Sequence, residues 1–398
     1  MKRTLVFLVW VALFSTACKT QDLSSEDKPT VNDLASKNID FAMNLYRKIA
    51  SQNDDNIFFS PLCISSAFAM LSLGAKGNTS DQIIKGLNLD LLQSKDNPNI
   101  IPALFRQQQE NITSSQDLDL TQGGAMFVPQ DFNVLETFLS QTKEYFNTDA
   151  IQLNPILTTS INEYVEKKTN GKIKELLKTV DPNTKLMLIN YVLFKGKWEV
   201  PFDANYTEQA RFYVNNYRIV SVPTMFRSDK FKLGYDDKLK LSILKLPYRG
   251  DASMIVLHPD KDADYNSIDE EISAERFHQW LRMLKKIKME VYFPKFKLEQ
   301  LYEMKNILPA LGITDLFNYQ ADLSGINMET GLKVSQVIHK AVIEVDEKGT
   351  EASSATVVGI TGYSLPPSLK INRPFLFLIY HETTNSLLFM GRVVDPTM

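Results

Sequence analysis

Cysteine is almost missing from this chain, with two copies, Cys18 and Cys63, in 398 residues. A disulfide scaffold is excluded, because Cys18 falls at the edge of an N-terminal apolar segment and a lone thiol has nothing to bridge. Histidine is nearly as scarce, at four copies, so a metal cage or a catalytic triad has few places to stand. The strings that mark common catalytic sites are missing too: G-x-S-x-G, Walker A, HExxH and CxxC do not occur. No motif asks for a cofactor, and the chain reads as a non-enzyme. After Phe14 no stretch approaches the twenty or so apolar residues that a spanning helix needs, so no transmembrane segment is expected. An excess of positive charge is lacking as well. The formal net charge is -3, which argues against general nucleic-acid binding.

What is present begins with MKRTLVFLVWVALFSTACKT, in which Lys2 and Arg3 precede an apolar run from Leu5 to Phe14 and then small residues. This is the grammar of a secretory signal peptide and predicts a secreted, extracellular chain. Residues 1–18 form the expected signal. Cleavage falls before Cys18, using Ser15 and Ala17, or after it, using Thr16 and Cys18. A polar leader follows over 19–32, and 33–398 read as one domain, since no linker, repeat or low-complexity tract offers a boundary. Secretion gives meaning to three N-x-[ST] sequons, at Asn78, Asn111 and Asn205, as N-glycosylation sites. With 44% hydrophobic residues, a large core rather than crosslinks must carry stability.

The first half reads as helical. Ile39, Phe41, Ala42, Leu45 and Tyr46 recur at helical spacing, and Ser60-Pro61 opens a helix through Ile64, Ala67, Phe68 and Leu71. Cys63, near that start, reads as a buried, inert thiol. The second half shifts to strands. VSQVIHKAVIEV places Val337, His339, Ala341, Ile343 and Val345 on one face, and Thr384-Asn385 marks a hairpin turn between FLFLIY and SLLFMGRVV. The class is α+β. His339 reads as a buried, hydrogen-bonded residue, His258 and His381 as solvated loop residues, and His278 as part of a charged helix.

The unusual segment is EKGTEASSATVVGITGYSLPP, from Glu347 to Pro367. No proline interrupts 348–365. Thr350, Ala352, Ser354, Thr356, Val358 and Ile360 alternate with Glu351, Ser353, Ala355, Val357, Gly359 and Thr361, so one face is fit for burial as a strand. The glycines, serines and flanking prolines suit an exposed loop equally well.

Four strings now identify a resemblance: NIFFSPLCISSAFAMLSLGAKGNT, LINYVLFKGKWEVPF, LKVSQVIHKAVIEVDEKGTEASSAT and INRPFLFLIYHETTNSLLFMGRVVDPT. From about residue 33 onward the chain resembles the serpins, of clade A. The resemblance implies a fold of about nine helices and three β-sheets with an exposed, insertable reactive-centre loop. It implies a suicide-substrate inhibitor of serine proteases, monomeric, cleaved at Tyr363-Ser364, with Gly349, Thr350, Glu351, Ala352, Ser353, Ser354 and Ala355 as the loop hinge. Ser60, Asn190 and His339 are similar to the family's shutter, Trp198 to its breach residue, and Lys295 with Glu347 to the salt-bridged pair at the loop base.

Tyr363 suits an aromatic-accepting protease pocket. One clade A branch with Tyr-Ser at this bond instead inhibits coagulation factor Xa with protein Z as partner. KMEVYFPKFKLEQLYEM and ITGYSLPP resemble that branch more than antitrypsin. Tyr217 falls at the branch's docking position for protein Z, although Asn215 stands where an acid is expected. Arg282, Lys285, Lys286 and Lys288 form a local basic cluster that reads either as a heparin site or as a solvated helix end. The alternatives are an inhibitor of chymotrypsin-type proteases and a non-inhibitory carrier serpin.

Overall fold

The computed structural model describes residues 28–114, 118–263, 265–329, 331–347 and 366–398. The helices are α1 (Val31–Ala50), α2 (Pro61–Ser72), α3 (Gly77–Gly86), α4 (Ile100–Thr113), α5 (Glu136–Phe146), α6 (Thr158–Lys168), α7 (Tyr265–Glu271) and α8 (Ala274–Met283). The strands are β1 (Ile57–Phe59), β2 (Leu120–Pro129), β3 (Asp149–Leu153), β4 (Met187–Phe194), β5 (Glu208–Tyr213), β6 (Ile219–Asp236) and β7 (Leu241–Pro247). They continue with β8 (Ala252–Pro259), β9 (Lys285–Pro294), β10 (Phe296–Glu303), β11 (Gln336–Val345), β12 (Ser368–Lys370), β13 (Phe375–His381) and β14 (Ser386–Val393).

Five strands form one sheet in the order β10-β11-β4-β2-β3, and β11 and β4 lie parallel at its centre. Strand β4 explains the position. Its sequence MLINYVLF is buried at every residue, as a strand covered on both faces must be. Leu188, Val192 and Phe194 enter the main core, whereas Met187, Ile189, Tyr191 and Leu193 pack on the opposite side with Ile161 and Val165 of α6. The period-two alternation of one strand therefore fills two cores.

The other strands join in a nine-stranded sheet, β1-β14-β13-β8-β7-β6-β9-β12, with β5 also on β6. Two sheets were expected here. They share hydrogen bonds because β6, 18 residues long, pairs with β5 over Ile219–Thr224, with β9 over Thr224–Leu233 and with β7 over Lys232–Asp236. Among the described residues there are eight α-helices and five short 3-10 turns. None of the helices is long and apolar enough to cross a membrane.

Two histidine readings need correction. His258 and His381 are not solvated: they are 3% and 2% exposed, within β8 and β13. Both strands run past the apolar string to include the next polar residue, and both lie inside the sheet rather than at its edge. Burial, then the nearby Arg373 charge, pushes His258 down to about 3. Cys63 is half-buried rather than fully buried and lies 3.4 Å from Gln122 Oε1; desolvation pushes its thiol up to about 11, which suppresses the reactive thiolate.

Candidate functional site

The described structure brackets the 348–365 segment. Its entry is the end of β11 in the five-stranded sheet, and its exit leads to β12, paired parallel with β9 in the other sheet. The parallel β11–β4 ladder, from Gln336↔Met187 to Ile343↔Phe194, is the joint beside the entry.

Ser60 sits at the N-cap of α2, where its Oγ accepts from Cys63 N at 3.2 Å and donates to Leu388 O at 2.8 Å. Pro61 at the first helical position needs no donor, so Ser-Pro is a sound helix start. The cap fixes the Ser60 amide so that it donates to His339 Nε2 at 3.0 Å. The other ring nitrogen, Nδ1, bonds Asn190 Oδ1. Since Nε2 accepts, Nδ1 carries the proton and the ring is neutral. Burial pushes His339 down to about 3, in keeping with that state. His339 and Asn190 are direct register partners across the β11–β4 joint, and all three residues are buried. Tyr302 of β10 stacks over the imidazole at 6.5 Å.

The end of β11 is held from several directions. Trp198, buried and stacked 4.2 Å from Tyr248, donates Nε1–H to Asp346 O at 2.9 Å. Phe202 N donates to Glu347 O at 3.1 Å. The Glu347 carboxylate accepts from Lys295 Nζ at 2.6 Å and from Thr207 Oγ1 at 2.8 Å. Burial works to raise this carboxyl, but the bonds from Lys295 and Thr207 outweigh it, and the group stands below its ordinary value. Lys195 adds contacts to Glu344 and Asp346 at 3.2 and 3.5 Å. Tyr248, Phe202, Thr207, Tyr302 and Lys195 were not singled out by sequence. Each is an ordinary residue that gains a role only from a long-range contact, and no local pattern signals it.

Other expected residues scatter. Tyr217 is 99% exposed at the β5–β6 turn, and Asn215 Oδ1 accepts from the amides of Tyr217 and Arg218, both at 2.9 Å. Asn215 is thus committed to an Asx turn, a role that an aspartate would fill equally well. Of the basic cluster only Arg282 lies on a helix; Lys285, Lys286 and Lys288 lie on β9, so the helix-end reading fails for the lysines. Asn78, Asn111 and Asn205 are all exposed, and the Asn78 amide also donates to Asp315 at 2.6 Å. Residues 1–18, the hinge Gly349–Ala355 and the Tyr363-Ser364 bond lie outside the described residues.

Residues 36–396 match the family model described as Serpin (serine protease inhibitor). The chain belongs to the serpin family. It is 44% identical to the Mus musculus protein Z-dependent protease inhibitor over 370 residues, covering 92% of this chain and 82% of that protein. The Homo sapiens protein of the same name is 42% identical over 371 residues, 92% and 83% of the two chains. The crystal structure of the mouse protein superposes with a TM-score of 0.86 at 43% identity, covering 92% of this serpin and 98% of that chain. Human thyroxine-binding globulin superposes equally well, at 0.86 with 32% identity, covering 93% and 100%. Fold alone therefore does not separate an inhibitor from a ligand-binding serpin. This serpin is a protease inhibitor and not an enzyme, and the partners of its family are serine proteases.

Proposed function

We propose that this serpin is a secreted suicide-substrate inhibitor of coagulation factor Xa, dependent on protein Z and acting as a negative regulator of blood coagulation. The observation that carries the reading is the 42–44% identity, over 92% of the chain, to proteins named protein Z-dependent protease inhibitors. Tyr363-Ser364 serves as the bait bond. The protease serine attacks the Tyr363 carbonyl, the Ser364 amine leaves, and Tyr363 stays bound to the protease as an ester. The freed segment from Gly349 onward then enters between β11 and β4 as a new strand. One ladder is replaced by two, a gain of roughly ten hydrogen bonds at about 1 kcal/mol net each, plus the apolar face of Val358 and Ile360. On the face meant for burial the hinge carries only Thr350, Ala352 and Ser354, which offer no bulk to slow this, while Glu351 falls on the other face. Tyr217, with exposed Tyr213 and Ile219 beside it, supplies the surface for protein Z, and Asn78, Asn111 and Asn205 carry glycans. A heparin-like polyanion acts as a modulator.

The test mixes mature protein with factor Xa, with and without protein Z, calcium and anionic phospholipid, and with chymotrypsin in parallel. An SDS-stable factor Xa complex that forms faster with protein Z supports the proposal. A rapid complex with chymotrypsin alone reassigns the target, and cleavage after Tyr363 without any complex makes the chain a non-inhibitory serpin.

A further inference from the structure

Half of one sheet strand is left partly uncovered. In β2, residues 125–128 are buried, whereas 120–124 are only half-buried. Against that half lies a cleft of about 720 Å³, formed by β2 and β4 with α2, α4 and the turn from α5 to β3. Small-molecule sites span roughly 300–1,000 Å³. Leu62, Met70, Phe105, Phe146 and Leu188 give the cleft apolar walls. Its four charged side chains are Arg106, Glu110, Lys143 and Glu144, and both cations already hold carboxylates: Arg106 pairs with Glu110 at 2.9 Å and Lys143 with Asp149 at 2.9 Å.

Asn190 of β4 also lines this cleft, although it is 5% exposed. Its Oδ1 is taken by His339, but its Nδ2 has no partner among the described residues. Directly across the ladder stands Gly124, and directly opposed residues share a face. The backbone there is not left-handed, and an added Cβ would come no closer than 3.5 Å to Thr148 Oγ1 and 3.6 Å to Ile189 O. Neither φ nor packing requires glycine at 124; its effect is to leave the space beside Asn190 open.

We propose that this cleft binds a neutral, largely apolar small molecule through a carbonyl oxygen that accepts from Asn190 Nδ2. The walls select that chemistry. An anion would find no uncommitted cation, and at Asn190 it would lose its water with one amide group to offset the loss. A ligand that only donates would leave Nδ2 unsatisfied, whereas an acceptor removes the cost of a buried, unpaired donor. An apolar body fits the leucine, methionine and phenylalanine surface.

The test titrates Prodan, a neutral naphthalene ketone whose emission shifts to the blue in apolar surroundings, into the full mature chain. Saturable binding is expected, and the bound dye should shield Cys63, which lines the same cleft, from N-ethylmaleimide in peptide mass spectrometry. N190D keeps Oδ1 for His339 but exchanges the donor for an oxygen, and should weaken binding about tenfold, the worth of one hydrogen bond. G124L fills the space and leaves the Asn190–His339 bond in place, so it should abolish binding and carries the test if circular dichroism shows N190D unfolded. A wild type without saturable binding would overturn the site. So would binding that G124L leaves unchanged, or that leaves Cys63 open to alkylation. Equal affinity for anilinonaphthalene sulfonate, with the same loss in G124L, would overturn the neutral-ligand assignment.

Discussion

Replacing His339 by Phe tests the joint between β11 and β4 most directly. Phe keeps a planar ring beneath Tyr302 but removes both ring nitrogens. The Ser60 N–H and Asn190 Oδ1 then lose their partner in a region where Ser60 is 2% and Asn190 5% exposed. A buried polar group without a partner costs about 1–3 kcal/mol. H339F should therefore lose about 3 kcal/mol, and its urea midpoint should fall by roughly 1 M if m is near 3 kcal/mol/M for a chain of this size. N190A orphans only the Nδ1–H and should cost about 2 kcal/mol. The double variant should fall short of the sum by about 1 kcal/mol, since one bond is broken twice.

The pH dependence of the difference sharpens the test. Folded His339 is held near 3 against an ordinary 6.5, so between these values the unfolded chain binds a proton that the folded chain refuses. The stability contributed is complete above pH 6.5 and is lost as pH falls toward 3, at about 1.4 kcal/mol per unit. The gap between wild type and H339F should shrink from about 3 kcal/mol at pH 7.4 to about 1 kcal/mol at pH 5. His258 titrates similarly in both proteins and cancels. A gap of zero at pH 7.4, or one that widens on acidification, would refute the tautomer and the network built on it.

At the loop base, K295M leaves the Glu347 carboxylate with Thr207 alone, and because Lys295 is 34% exposed water offsets part of the loss. A cost of about 1–2 kcal/mol is expected, read as a lower urea midpoint and restored in large part by adding E347Q. Glu347 lies eight residues beyond His339, about 26 Å along an extended strand, so H339F and K295M should add within about 0.5 kcal/mol. A352R places a charge on the hinge face that is meant for burial. It should leave cleavage at Tyr363 intact while the moles of inhibitor consumed per protease trapped rise several-fold, as SDS gels of titrated mixtures would report.

Much of this was legible in sequence for a definite reason. Ser60-Pro61 is a local helix start, VSQVIHKAVIEV alternates visibly, and the buried His339 followed from its place on an apolar face. The pairing of Lys295 with Glu347 and the breach position of Trp198 came from resemblance, not from local pattern, and the partners of Trp198 came only from the structure. What sequence hid depends on register. Nothing in LRMLKKIKMEV tells that β9 starts at Lys285 or that its lysines divide between two faces. The histidine errors are of the same kind: HP and HE look like loop punctuation until strand pairing carries β8 through His258 and β13 to His381.

The polar pair at the centre of the joint has a physical rationale that an apolar pair would not supply. β4 is apolar along most of its length, and β11 presents Val337, Ala341 and Ile343 beside Leu188, Val192 and Phe194. A slip of two residues would keep those faces apolar and cost little. It would also set His339 against an aliphatic neighbour and leave Asn190 Oδ1 and the Ser60 amide without their bonds. With each orphaned group costing about 1–3 kcal/mol, the shifted register is disfavoured by several kcal/mol. The same bonds are local to one point of the ladder, so parting the strands breaks them once rather than along the whole length. A joint with specific register and limited total adhesion is the combination needed if a further strand is to enter between β11 and β4.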